Sequence, residues 1–234
     1  MDGILNLDKP AGPSSAACLN RLKRLLPRKT KIGHAGTLDP FATGVLLVLI
    51  GRATKLCEQL MDQPKAYETT IKLGARTETD DCESVEIPNE KAVIPTRETI
   101  AAALPAFLGN IQQRPPNFSA MKVGGRRAYA LARGGNPVEL PARTVRVDAI
   151  ELISYEYPLL RLSIACGRGT YIRSLARDLG EMLGTGGHLT QLRRTRVGAF
   201  YAERAITMEK LAAEGVEEHL QAMEGKPIEP IRQR

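Results

Sequence analysis

Six consecutive apolar residues, Val45 to Ile50, constrain this chain more than any other feature of its sequence. A run with no polar residue has no face to offer water, so it must be covered on both sides. A buried strand or a short buried helix would satisfy that, and periodicity does not separate the two. The run is far shorter than the ~20 apolar residues of a membrane-crossing helix, so no membrane partner is expected. Hydrophobic residues make up 43% of the 234, enough for a proper core and too many for a disordered chain. That length suits one large domain, or one domain with a small appendage.

Around this run the pattern is mixed. Ile4 to Leu7 reads as a short strand ending in a Pro- and Gly-containing turn, and Ser14 or Ser15 can cap a helix that Pro27 ends. Gly33 to Thr43 reads as a loop. Tyr67, Thr69, Ile71 and Leu73 alternate with Glu68, Thr70 and Lys72, which is a strand pattern. Residues 76 to 95 read as an acidic surface excursion. A helix is marked by Ile100, Leu104, Phe107 and Leu108, with Pro105 expected to kink it or end it early. A short basic helix near 126–133 and two strands near 144–154 and 159–166 follow. Next comes a helix burying Ile172, Leu175, Ala176, Leu179 and Leu183, which Gly184, Gly186 and Gly187 end. Residues 207 to 224 read as one or two short helices. Strands come in clusters, so the chain is a mixed α/β protein without the regular alternation of a doubly wound sheet.

Charge narrows the function classes. Thirty-three basic against 26 acidic residues give +7. Residues 21 to 31 hold six basic side chains and no acid, 122 to 133 hold four and no acid, and 191 to 196 hold three. Such segregation suggests a phosphate-binding face, although a solvated basic surface would look the same. Four cysteines without a CxxC pair suggest reduced thiols and a cytoplasmic location. The three histidines have no partners at ligand spacing, so no metal site is expected.

The candidate chemistry sits in Gly33-His34-Ala35-Gly36-Thr37-Leu38-Asp39-Pro40. Asp39 reads equally as a turn aspartate before proline or as a carboxylate at the lip of a buried element, where it needs a partner. Arg173 opens a helix against the macrodipole, which suggests a nearby carboxylate or phosphate. Tyr67 heads its strand and Tyr171 precedes a helix. Locally both read as packing residues.

These segments, taken together, resemble the bacterial tRNA pseudouridine synthases of the TruB family. The resemblance runs through Gly3-Ile4-Leu5-Asn6-Leu7-Asp8-Lys9-Pro10, Gly33 through Gly44, and Lys65-Ala66-Tyr67-Glu68. It continues through Arg114-Pro115-Pro116-Asn117-Phe118-Ser119-Ala120-Met121-Lys122, Cys166 through Arg173, and His188 to Arg194. Six matching segments in one order are specific where one would be weak.

The resemblance implies the pseudouridine-synthase core, a central, mostly antiparallel mixed sheet with flanking helices and an active-site cleft. It implies residues 1–205 as catalytic domain and 206–234 as a short helical segment and tail, without a complete PUA domain. The implied reaction isomerises a uridine in the T loop of tRNA, position 55 in tRNA numbering, and with no redox step it needs no cofactor and no metal. No spare apolar helix face is evident in the sequence, so a monomer is expected. Asp39 corresponds to the catalytic aspartate, Arg173 to the arginine that pairs with it, and Tyr67 to the tyrosine that stacks on the target base and assists proton removal. His34 matches the residue occupying the space of the extruded bases, and Tyr171 and Leu192 line the uracil pocket. Whether Asp39 attacks C6, attacks C1′ or abstracts a 2′ proton stays open. The alternatives are an RNA-binding or tRNA-folding module on the same basic face, or a synthase with another RNA target.

Overall fold

The computed structural model describes residues 1–119, 121–123, 125–134 and 140–221. In chain order the elements are β1 (Gly3–Lys9), α1 (Ser15–Leu22), β2 (Ile32–Ala35), β3 (Thr43–Ile50), α2 (Cys57–Met61) and β4 (Lys65–Leu73). Next come β5 (Ala75–Arg76), β6 (Ile87–Pro88), α3 (Arg97–Ala103), β7 (Gly109–Gln113), β8 (Lys122–Val123), β9 (Arg126–Arg127) and α4 (Ala128–Arg133). The last are β10 (Arg143–Glu156), β11 (Leu159–Cys166), α5 (Ile172–Met182), β12 (Gly187–Val197), β13 (Phe200–Tyr201) and α6 (Met208–Glu214). The main sheet is mixed and mostly antiparallel, as expected. The described residues fall into two compact units, those within 1–67 and 193–234, and those within 68–192.

In the first unit β3 is the central strand. It pairs antiparallel with β1, from Gly3 opposite Ile50 to Lys9 opposite Gly44, and with β2, from Ile32 opposite Ile50 to Ala35 opposite Leu47. It also pairs in parallel with β12 through Thr43 and Gly44. Neighbours on both edges and cover on both faces explain the unbroken apolar run: all six residues from Val45 to Ile50 are wholly excluded from solvent. Val45, Leu47 and Leu49 join Ile4, Ala53 and Leu60 in one core cluster. Ser14 caps α1 by accepting from the Ala17 N–H, and Cys18 and Leu22 are its buried face.

In the second unit the strand order is β12, β4, β11, β10, β7. β10 pairs antiparallel with β11 and β7, with register shifts between Val147 and Ala149 and between Leu152 and Ser154. The helix α5 buries Ile172, Leu175, Ala176 and Leu179, as its spacing implies. Gly180 lets α5 close onto the start of β12, where a Cβ would fall on the backbone of Gly186 and Gly187. Pro105 ends α3 early: the α-helix stops at Ala103 and a 3-10 turn covers Leu104–Phe107.

Three sequence expectations change. Ile32–Ala35 is a strand, because β3 supplies the hydrogen-bond partners its Gly- and His-containing sequence does not advertise. The acidic stretch is not all surface: Thr77, Thr79, Asp80 and Asp81 are buried. The basic stretch 191–196 lies in β12, and its Arg194 is 1% exposed. The basic side chains of the 122–133 block and the tail from residue 222 lie outside the described residues.

Candidate active site

Asp39 lies in the connection between β2 and β3, partly exposed, on a backbone fixed by side chains from three other elements. Lys9, at the end of β1 and wholly buried, donates from Nζ to the carbonyls of Pro10 (2.9 Å), Pro40 (3.0 Å) and Ala42 (2.7 Å). An ammonium group has three donors, and here three carbonyls accept them. Ser15, at the start of α1, donates to the Leu38 carbonyl and accepts from the Leu38 N–H, both at 2.9 Å. Arg194, on β12, donates from Nε to the Val45 carbonyl (2.7 Å) and from Nη2 to that of Gly36 (3.0 Å). The Gly12 N–H reaches the Pro40 carbonyl, and the Ala42 N–H closes a turn on the Asp39 carbonyl.

The peptides on both sides of Asp39 are therefore held in place, and the residue itself is partly exposed. That is preorganisation of the kind a nucleophile or base requires. Sequence reasoning did not single out Lys9, Ser15 or Arg194. A signal existed for two of them. Lys9 is in phase with the buried Leu5 and Leu7, and Arg194 with the buried Leu192.

Two further candidates share this unit. His34 sits on β2, opposite Val48, with its carbonyl accepting from the Cys57 thiol. Tyr67 is 7% exposed on β4, whose start is anchored by Lys65 Nζ to the Met61 and Gln63 carbonyls and by the Gly198 N–H to the Pro64 carbonyl.

Arg173, Tyr171 and Leu192 belong to the second unit. Arg173 is 4% exposed at the start of α5, and within this unit it pairs with the carboxylate of Asp81, 3.1 Å from Nη1. The same guanidinium donates to the carbonyls of Thr79 (3.0 Å) and Phe118 (2.9 Å). Asp81 also accepts from the Thr79 hydroxyl and the Glu83 N–H. A cation against the helix dipole thus does face a carboxylate, one that sequence reasoning had left on the surface. Tyr171 is fixed at its backbone by Gln113, which accepts from its N–H and donates to its carbonyl. The Arg143 guanidinium lies over its ring, 5.1 Å from the centroid. Leu192 is buried on β12.

Beside Asp81, the carboxyl of Asp80 is pushed up to about 6. Burial is the larger cause, and the attraction of Arg177 at 2.9 Å and of Arg173 only partly offsets it. Arg177 is pushed up as well. Burial disfavours its charge, but Asp80 and Asp178 together hold it protonated. These groups line an open cleft of about 710 Å³ with Arg114, Gln112 and Asn117. Among the described residues no group of three or more His, Cys, Asp or Glu could hold a metal ion, and no helix is long and apolar enough to cross a membrane.

Known proteins carry the same arrangement of sequence. The profile described as TruB family pseudouridylate synthase (N terminal domain) matches residues 23–172, and that described as tRNA pseudouridylate synthase B C-terminal domain matches 173–230. A protein of Aromatoleum aromaticum named tRNA pseudouridine synthase B is 47% identical over 91% of this chain and 68% of its own length. One of the same name from Xanthomonas euvesicatoria pv. vesicatoria is 50% identical over 91% and 69%. Among solved structures, a chain from the crystal structure of a Cbf5-Nop10-Gar1 complex matches with a TM-score of 0.70 and 31% identity. That match covers 93% of this chain and 57% of the solved one. The chain belongs to the TruB family of pseudouridylate synthases.

Proposed function

We propose that the chain isomerises a uridine of tRNA to pseudouridine, at position 55 of the T loop, with residues 1–205 as the catalytic domain. The observation that carries this is the near-half identity, over nine tenths of the chain, to proteins named tRNA pseudouridine synthase B. The fixed backbone around Asp39 supports it from chemistry. The reaction breaks the N1–C1′ bond, turns the uracil and joins C5 to C1′. The C5 proton then leaves and N1 gains one, so composition is unchanged and no electrons are transferred. A base inside a stack hides these atoms, so the nucleotide is flipped out at a cost of a few kcal/mol. Asp39 supplies the reactive carboxylate, and a group on a backbone held still loses less freedom on reaching the transition state. Tyr67 offers a stacking face that retains the detached uracil and assists in removing the C5 proton. His34 fills the space the base vacates, Tyr171 and Leu192 line the uracil pocket, and Arg173 corresponds to the arginine that pairs with the catalytic aspartate in the family. An enzyme with that substrate works in the cytoplasm.

The test is tritium release from an unmodified tRNA transcript labelled at uracil C5. The wild-type protein is expected to release one label per tRNA. Asp39→Asn is expected to release none while binding the RNA within about threefold of wild type. Turnover of Asp39→Asn at the normal rate would remove Asp39 from the chemistry. Binding without release by the wild type would mark an RNA-binding module instead.

A further inference from the structure

At the N-terminal end of β2 the first unit opens a second cleft, about 540 Å³, lined by Lys23, Lys29, Thr30, Lys31, Ile32 and Thr54. We propose that this cleft grips the phosphodiester backbone of the bound RNA strand, one nucleotide step away from the base position at His34. The proposal rests on the RNA substrate proposed above and adds where part of its backbone is held.

Four observations carry it. The three lysines are exposed, and among the described residues none of them pairs with a carboxylate. Unpaired ammonium groups converging on one concavity attract phosphates in preference to a single counter-ion. The walls are fixed: the Thr30 hydroxyl donates to the Pro27 carbonyl (2.7 Å) and that of Thr54 to the Gly51 carbonyl (2.8 Å). The Gly51 N–H donates to the Lys31 carbonyl (2.8 Å), tying one wall to the other. Lys29 has φ of +70°, a conformation that suits Gly or Asn and costs a lysine roughly 1 kcal/mol. Strain of that sort is kept where a side chain has work to do. Finally, Ile32 and His34 share a face of β2, two residues and therefore about 7 Å apart, the step of one nucleotide along an extended strand.

The experiment compares wild type with Lys23→Gln/Lys29→Asn/Lys31→Gln, in which asparagine preserves the turn at position 29. A control triple, Lys91→Gln/Arg97→Gln/Lys210→Gln, removes equal charge elsewhere. Binding of the unmodified tRNA transcript is measured across salt concentrations, alongside tritium release. The cleft triple is expected to make the slope of log affinity against log salt shallower by about 2–3, at roughly 0.7–0.9 per phosphate. KM is expected to rise about tenfold with kcat unchanged, and the control triple to leave the slope near wild type. An unchanged slope in the cleft triple, or an equal change in the control, overturns the proposal. A shallower slope in a protein that forms no pseudouridine keeps the cleft and removes the proposed function. Turnover with an unchanged slope does the reverse.

Discussion

Arg173 is a guanidinium almost wholly removed from water, which is tolerable only while an opposite charge and enough acceptors answer it. Asp81 supplies the charge, and the carbonyls of Thr79 and Phe118 supply acceptors. Removing the Asp81 charge alone takes a buried counter-charge away from that cation. Asp81→Asn is expected to cost about 3–5 kcal/mol in urea unfolding. Asp81→Asn with Arg173→Met is expected to cost less than the sum of the two single changes. Strictly additive losses would mean that the two groups do not share their stabilisation. The pair also shows why the acidic stretch misled sequence reading. Asp80 and Asp81 stand among exposed acids such as Glu83 in a polar stretch, and nothing adjacent announces that two of them turn inward to Arg177 and Arg173.

At the scale of elements, the β2–β3 connection is only as fixed as the strands that hold it. Gly44 has φ of +97°, and a Cβ there would fall on the Arg194 carbonyl oxygen. Gly44→Ala therefore strains the backbone and forces β12 from β3. A loss of about 3 kcal/mol, or roughly 6–12 °C in Tm, is expected by calorimetry. A Tm within 2 °C of wild type would show that the parallel contact can yield, an outcome below that range. Elements with alternating or helical periodicity, such as β4, β11 and α5, were legible because their own side chains report which face is covered. Ile32–Ala35 was not, because its partners come from β3 and its own residues carry no alternation. The Val45–Ile50 run was legible as buried but not as a strand until β1 and β2 stood on its edges. Asp39 became a candidate through six ordered segments, not through its local chemistry. Its supports on Lys9 and Arg194 were masked because basic residues read as surface until carbonyls gather around them.

For the whole molecule, Asp80 makes stability depend on pH. Its folded value, about 6, lies above the ordinary 3.8, so the native state binds its proton more tightly than the unfolded chain does. That contribution is fully present below about pH 4 and is lost as pH rises through 6. The difference amounts to roughly 3 kcal/mol at most. Asp80→Asn is expected to flatten the unfolding free energy between pH 4 and 6, measured by urea titration at each pH. A variant that keeps the wild-type slope would assign it to other groups.

The bond from Arg194 to the Val45 carbonyl spans 149 residues of chain. On a ribosome adding ~5–20 residues per second, the strand that completes the Asp39 loop emerges roughly 7–30 s after β3 does. Through that interval the nascent chain carries Asp39 on an unfinished scaffold. The Asp39 loop gains its last support late in synthesis, when β12 takes its place beside β3.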